Sequence, residues 1–385
     1  MGRLIIFLFV FFSLYGGLHL YGFLKVRQAL EIGPGLTVVL VIFMATMVFA
    51  PILVRISERH GFEFIARFMA YIGYTWMGLL FIFVSVSFAL DIYRLLLHIG
   101  RFILHTDLSG ITLSSRHSFI IAFLFSVAIT VYGTFEALGI RTEHVTIKTD
   151  KIPEIVDRLR IVQISDVHLG LIVGNKRLER IINRIKAANP DILVSTGDLV
   201  DGQMDDPSSF ANMLRKIAAQ HGKFAITGNH EFYAGQARSL DFIEKAGFAI
   251  LRGEGVNVSS WLNIVGVDDA VGKHYGVVRN ISEKELLSRF SREKFTLLLK
   301  HRPLVDEDVI GLFDLQLSGH AHKGQIFPFS IITKLSYPNH AGLLNLEKNS
   351  RLYASRGSGT WGPPIRFLSP PEVTLIELVH EETTR

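Results

Sequence analysis

The chain has no cysteine among its 385 residues. Disulfides and thiolate catalysis are thereby excluded, and any bound metal must rest on His, Asp, Glu or Asn. Charge is scarce too: Asp, Glu, Lys and Arg make up 19% of the chain against 49% hydrophobic residues, and mean hydropathy is +0.34. That balance is too apolar for an ordinary soluble enzyme. The scarcity is also uneven. Leu4 to Phe23, Leu36 to Val54, Phe68 to Leu90 and Ser118 to Phe135 contain no Asp, Glu, Lys or Arg at all. Each is about as long as a hydrocarbon core requires of a helix, and burying four such helices in a soluble core would need a very large protein around them. Before the first stretch the only charge is Arg3, and no clear small-x-small cleavage site follows, so it reads as a retained anchor.

The chain therefore divides into a transmembrane region over 1–140, a linker and leading strand over 141–157, and a soluble domain over 158–385. Four spans put both ends of the first region on one side. Arg3, Arg55, Arg59, Arg67, Arg141, Lys148 and Lys151 fall there, against Lys25, Arg27, Arg94, Arg101 and Arg116 on the other. Seven against five leans towards a cytoplasmic catalytic domain in a multi-pass protein of the cell membrane. Between the third and fourth spans, Arg94, His98, Arg101 and His105 recur at helical spacing, which suggests either an amphipathic helix at the lipid surface or a continuation of the third span. Apart from His19 the spans carry no internal acid or base, so the region reads as an anchor rather than a transport pathway. The net charge of +5 is compatible with anionic lipid or a phosphate substrate, but basic residues flanking the spans would give the same total, and no nucleic-acid partner follows from it.

The soluble half alternates strand-like and helix-like segments. A short apolar run, Ile161 to Ile164, ends in Asp166-x-His168, which places both side chains at the carboxyl end of a strand, where open α/β sheets collect ligands. The pattern repeats. Ile192 to Ser195 ends in Gly197-Asp198, Phe224 to Thr227 in Gly228-Asn-His-Glu231, Phe295 to Leu299 in Lys300-His-Arg-Pro303, and Leu315 to Leu317 in Ser318-Gly-His-Ala-His322. Each motif alone has an ordinary explanation: a turn, a helix cap or a surface histidine. Five in equivalent positions do not.

These motifs, in this order, resemble the calcineurin-like metallophosphoesterases over roughly 158–380. The similarity is greatest to a membrane-associated bacterial branch, at Arg160 to Gly170 and at Ser355-Arg-Gly-Ser-Gly-Thr-Trp-Gly-Pro-Pro-Ile365. Lys323 departs from that branch, which usually has Gly there. The resemblance implies an α/β/β/α sandwich behind the four-helix transmembrane region and two divalent ions, Mn, Fe or Zn. It assigns Asp166, His168, Asp198 and His322 to one ion and Asp198, Asn229, His301 and His320 to the other. It makes His230 the group that stabilises or protonates the leaving oxygen, with Asp201 orienting it. Arg356 and Gly357, in the late glycine-rich loop, are placed to contact a phosphate. The implied activity is hydrolysis of a phosphomonoester, phosphodiester or diphosphate, with a lipid-linked substrate such as UDP-2,3-diacylglucosamine suggested by analogy. The alternative is a non-catalytic membrane sensor or binding protein on the same scaffold, against which the complete ligand set argues.

Overall fold

The computed structural model describes residues 2–202, 204, 206–276 and 281–381. They form two compact units, 1–135 with 362–365, and 136–361 with 366–385.

The first unit holds α1 (Gly2–Ala29), α2 (Pro34–Arg59), α3 (Glu63–Leu104) and the start of α4 (Ser115–Leu138). Among the described residues these four are long and apolar enough to cross a membrane. Small residues let the helices approach: a Cβ on Gly73 of α3 would lie 2.7 Å from the Ala50 Cβ of α2. His19 is neutral glue rather than a free charge. Its Nδ1 meets the Tyr15 carbonyl at 2.8 Å, and Trp76 Nε1 donates to its Nε2 at 2.9 Å. Arg94 and Arg101 belong to α3 itself, so of the two readings of that segment the continuation is the one observed. No proline interrupts Leu90 to Leu104, and the resulting 42-residue helix is about 63 Å long, twice a hydrocarbon core.

The second unit is a four-layer sandwich. Its elements are β1 (Arg141–Thr149), β2 (Leu159–Ile164), α5 (Asn175–Ala187), β3 (Ile192–Ser195), α6 (Pro207–Arg215), β4 (Lys223–Ala225), α7 (Asn229–Tyr233), α8 (Gln236–Lys245), β5 (Ala249–Ile250), β6 (Glu254–Asn257), β7 (Leu262–Gly266), α9 (Glu283–Leu287), β8 (Phe295–Leu299), β9 (Leu315–Ser318), α10 (Phe329–Ser336), β10 (Gly342–Asn345), β11 (Arg351–Ala354) and β12 (Glu372–His380). One sheet runs β1-β12-β2-β3-β4-β5 and the other β10-β11-β9-β8-β7-β6. Between them lies a core of Ile161, Ile192, Val194, Leu297, Leu317 and Ile376 among others, and the outer face of the first sheet packs on α5, α6 and α8. Strands covered on both faces need apolar residues at consecutive positions, which is why β3 and β8 read as unbroken runs. The leading strand β1 closes the first sheet by pairing in parallel with β12, Arg141 opposite Glu372 through Thr149 opposite His380.

Parallel pairing does the positioning. Strands β2, β3 and β4 run parallel, as do β8 and β9, so their carboxyl ends collect along one edge of each sheet. The two edges are tied together: Gln163 Nε2 on β2 donates to the Ser318 carbonyl on β9 at 2.9 Å.

Candidate metal centre

Every strand end singled out by its motif opens onto this shared rim. Asp166 and His168 follow β2, Asp198 follows β3, Asn229 begins α7 after β4, His301 follows β8, and His320 and His322 follow β9. The chain turns sharply at these points. Asp166, His168, Asp198, His320 and His322 all have φ between 48° and 67°, a left-handed conformation that strains a residue with a side chain. Surrounding packing holds them there.

Their donor atoms converge as two groups. In the first, His168 Nε2 lies 3.1 Å from His322 Nε2, and His322 Nε2 lies 3.5 Å from Asp166 Oδ1. In the second, His301 Nε2 is 3.1 Å from His320 Nδ1, 3.3 Å from Asn229 Oδ1 and 3.2 Å from Asp198 Oδ2. The same Asp198 oxygen is 3.9 Å from His168 Nε2, so one carboxylate faces both groups. Asp166, His168 and His322 are close enough to hold one ion, and Asp198, His301 and His320 another.

The donor set fits a cation chemically as well as spatially. His301 Nδ1 lies 2.8 Å from the Thr196 carbonyl, which can only accept, so a ring proton sits there and Nε2 is left facing the cluster. That is how a protein commonly fixes the tautomer of a metal ligand. The buried carboxylates demand positive charge: burial opposes a charged His301, yet the Asp198 and Asp166 carboxylates push it up to about 10.

His230 stands beside the cluster with its Nδ1 2.6 Å from Asp201 Oδ1. Burial would lower this histidine, but Asp198 and Asp201 push it up to about 9. Asp201 is in turn held well below the usual carboxylate range, because the nearby His168 and His230 rings outweigh its loss of water. The His230 ring meets Tyr233 and Trp361 edge-on, at centroid distances of 5.4 and 5.7 Å.

A single family accounts for all of these features. The sequence pattern of the calcineurin-like phosphoesterase family matches residues 159–324. An uncharacterized metallophosphoesterase of Aquifex aeolicus is 40% identical over 254 residues, covering 66% of this chain and 97% of its own. The chain belongs to the calcineurin-like metallophosphoesterases. Among similar metallophosphoesterases, one from Campylobacter jejuni is 29% identical over 318 residues, covering 80% of this chain and 83% of its own. A transmembrane protein with metallophosphoesterase domain from Danio rerio is 27% identical over 346 residues, covering 85% of this chain and 79% of its own, so similarity extends into the helical region.

Within this metallophosphoesterase two arginines behave differently from what their sequence neighbourhood suggests. Arg356 was expected to reach a phosphate. Its guanidinium is instead engaged by Glu143 on β1, by Glu372 on β12 at 2.6 Å and by the Pro370 carbonyl at 3.1 Å, which makes it a clamp on the first sheet. Two carboxylates, one of them buried, thus occupy its Nε and Nη2. Gly357 does reach the site: at φ 80°, a Cβ there would lie 3.0 Å from the Asp166 Cβ and 3.1 Å from His322 Nδ1. The arginine that touches the cluster is Arg366, fully buried, with Nη2 2.9 Å from His322 Nδ1 and Nη1 donating to the Arg356 carbonyl at 2.7 Å. Its sequence context, between a proline pair and another loop, gives no signal of that contact.

Glu231 has a role that its place in Gly228-Asn-His-Glu231 does not reveal. Its buried carboxylate accepts four backbone N–H bonds. Oε2 takes Asp198 and Gly228 at 2.9 and 2.7 Å; Oε1 takes Leu199 and Val200 at 2.8 and 3.1 Å. It thereby fixes the loop that presents Asp198 to the helix that presents Asn229. Lys323, which stands in place of the usual glycine, adopts φ 50° and ψ 30°, the left-handed conformation that glycine accommodates without strain.

Proposed function

We propose that this metallophosphoesterase is a membrane-anchored phosphohydrolase with a dinuclear metal centre. Asp166, His168, Asp198 and His322 would hold one ion; Asp198, Asn229, His301 and His320 would hold the other, with Asp198 shared. The observation that carries this reading is the pair of converging donor groups facing one Asp198 oxygen. Two divalent ions bound there would polarise a phosphoryl group, offset its charge and acidify the attacking water. Asn229 contributes a neutral oxygen, which limits negative charge where an anionic phosphate must dock. Asp201 lies against His230 Nδ1 and would orient the ring to present Nε2 to the leaving oxygen. The substrate class is a phosphomonoester, phosphodiester or diphosphate, with a lipid-linked one favoured by the four membrane helices. The charge asymmetry of the flanking loops, seven against five, supports a cytoplasmic catalytic side. The domain boundaries follow the connection at 141–157, with 158–385 as the catalytic part.

The test uses the full chain, stripped of metal and resupplied with Mn, Fe or Zn, assayed on aryl phosphomonoesters and diesters beside Asp198→Asn. Metal-dependent turnover that the substitution removes supports the reading. If wild type and variant were equally inactive with every metal while both bound phosphate, the sensor reading would replace it.

A further inference from the structure

The segment between Asp314 and Glu347 contains no acidic residue, and its lysines are Lys323 and Lys334. It includes α10, Phe329–Ser336, an eight-residue helix in which Thr333 is the one buried residue. The rest is an apolar surface open to solvent. Leu335 is 82% exposed, Ile331 59% and Ile332 54%, with Phe327 and Phe329 more than two-fifths exposed before them. A helix that turns Ile, Ile and Leu outward in a soluble protein has a partner or aggregates.

The neighbours of this surface name the partner. Phe327 N donates to the Phe367 carbonyl at 3.1 Å, so the approach to α10 runs beside 367–369. That loop is capped by the last turn of the fourth membrane helix: Glu136 carboxylate oxygens accept Ser369 N at 3.0 Å and Leu368 N at 3.3 Å. Leu368, between them, is itself 54% exposed. The apolar surface is thus tied through 367–369 to Glu136 in the last turn of α4, and 315–346 carry lysine with no acidic side chain.

We infer that Phe327, Phe329, Ile331, Ile332, Leu335 and Leu368 form a membrane-insertion surface, with α10 lying in the headgroup region of a bilayer containing anionic lipid. Its apolar side chains enter the acyl boundary, and Lys334 remains among the phosphates. The surface adjoins the metal centre. Tyr337, directly after α10, packs on the His320 ring at a centroid distance of 5.2 Å and accepts from Arg302 Nη1 at 3.3 Å. Insertion therefore brings the rim of the site to the headgroup level, where a lipid phosphate lies. The insertion itself stands whether or not the chain hydrolyses such a lipid.

The absence of native cysteine makes the test direct. Single Ile331→Cys, Leu335→Cys and Ile155→Cys chains are labelled with an environment-sensitive fluorophore and reconstituted at full length into phosphatidylcholine vesicles with and without phosphatidylglycerol. Ile155 is 95% exposed and lies beyond β1, a strand of nine residues, about 30 Å of extended chain, that follows α4 in sequence. Labels at 331 and 335 are expected to shift to the blue and to be quenched by nitroxides on the acyl chains, more strongly with phosphatidylglycerol. The label at 155 is expected to be quenched by aqueous iodide alone. Iodide quenching at 331 and 335 equal to that at 155 overturns the proposal, and so does a blue shift that vanishes on dilution of the protein in the membrane, which would assign the surface to a second copy of the chain. Because the readout is fluorescence, failure of the phosphohydrolase assay leaves this result intact.

Discussion

Glutamate 231 offers the sharpest test of how the metal centre is held. An ionised carboxylate accepts at both oxygens, and here each oxygen takes two backbone N–H groups, from Asp198 and Gly228 on one and from Leu199 and Val200 on the other. Glu231→Gln keeps the volume and one of these oxygens. Its amide nitrogen, a donor, then faces the other pair of donors, and two buried N–H groups lose their acceptor. Leaving a buried donor unsatisfied costs about 1–3 kcal/mol, so two cost about 4 kcal/mol. For a domain of this size about 2–4 °C of melting temperature goes with each kcal/mol, which gives a fall of about 8–16 °C. The measurement is a thermal scan of the full chain in detergent at a fixed scan rate, beside metal content per chain. Metal content is expected to fall as well, because the released loop carries Asp198. A variant that melts within a degree or two of wild type and retains all its metal would refute the assignment of Glu231 as the staple between the Asp198 and Asn229 loops.

The remaining predictions concern charge and backbone conformation. In metal-stripped protein the His230 ring is expected to titrate near pH 9, raised from 6.5 by Asp198 and Asp201, and Asp201→Asn should bring the midpoint down; selective histidine NMR reads both. Because the folded value is raised, the stability this group contributes is complete below pH 6.5 and lost as pH rises through about 9. A midpoint at or below 6.5 would remove the case for a protonated His230. Lys323→Gly should raise the melting temperature slightly, since relief of about 1–2 kcal/mol of left-handed strain exceeds the roughly 0.5–1 kcal/mol of added chain entropy. A lower melting temperature would show that the lysine side chain makes a compensating contact.

Much of the centre was legible because parallel α/β architecture is repetitive. A strand buried on both faces writes itself as an apolar run, and its carboxyl end is where a ligand-bearing loop emerges, so Asp166, Asp198, Asn229, His301 and His320 each stand at a recognisable boundary. The four spans were equally plain, since a membrane helix is specified by composition along a continuous stretch. What could not be read are interactions whose partners are remote in sequence and chemically unspecific.

Nothing local joins residues 141–149 to 372–380, yet their pairing completes the first sheet and gives Arg356 the two carboxylates that hold it. Nothing around Arg366 points to His322, 44 positions earlier, nor around Glu136 to Ser369, 233 positions later. The sequence by itself determined which side chains can bind a cation and which segments enter lipid, because donor chemistry and hydropathy are properties of residues. The tertiary structure alone decided which arginine meets the cluster, which carboxylate staples its loops and which apolar helix is left uncovered. Those depend on the distances that two packed sheets impose between loops far apart in the chain.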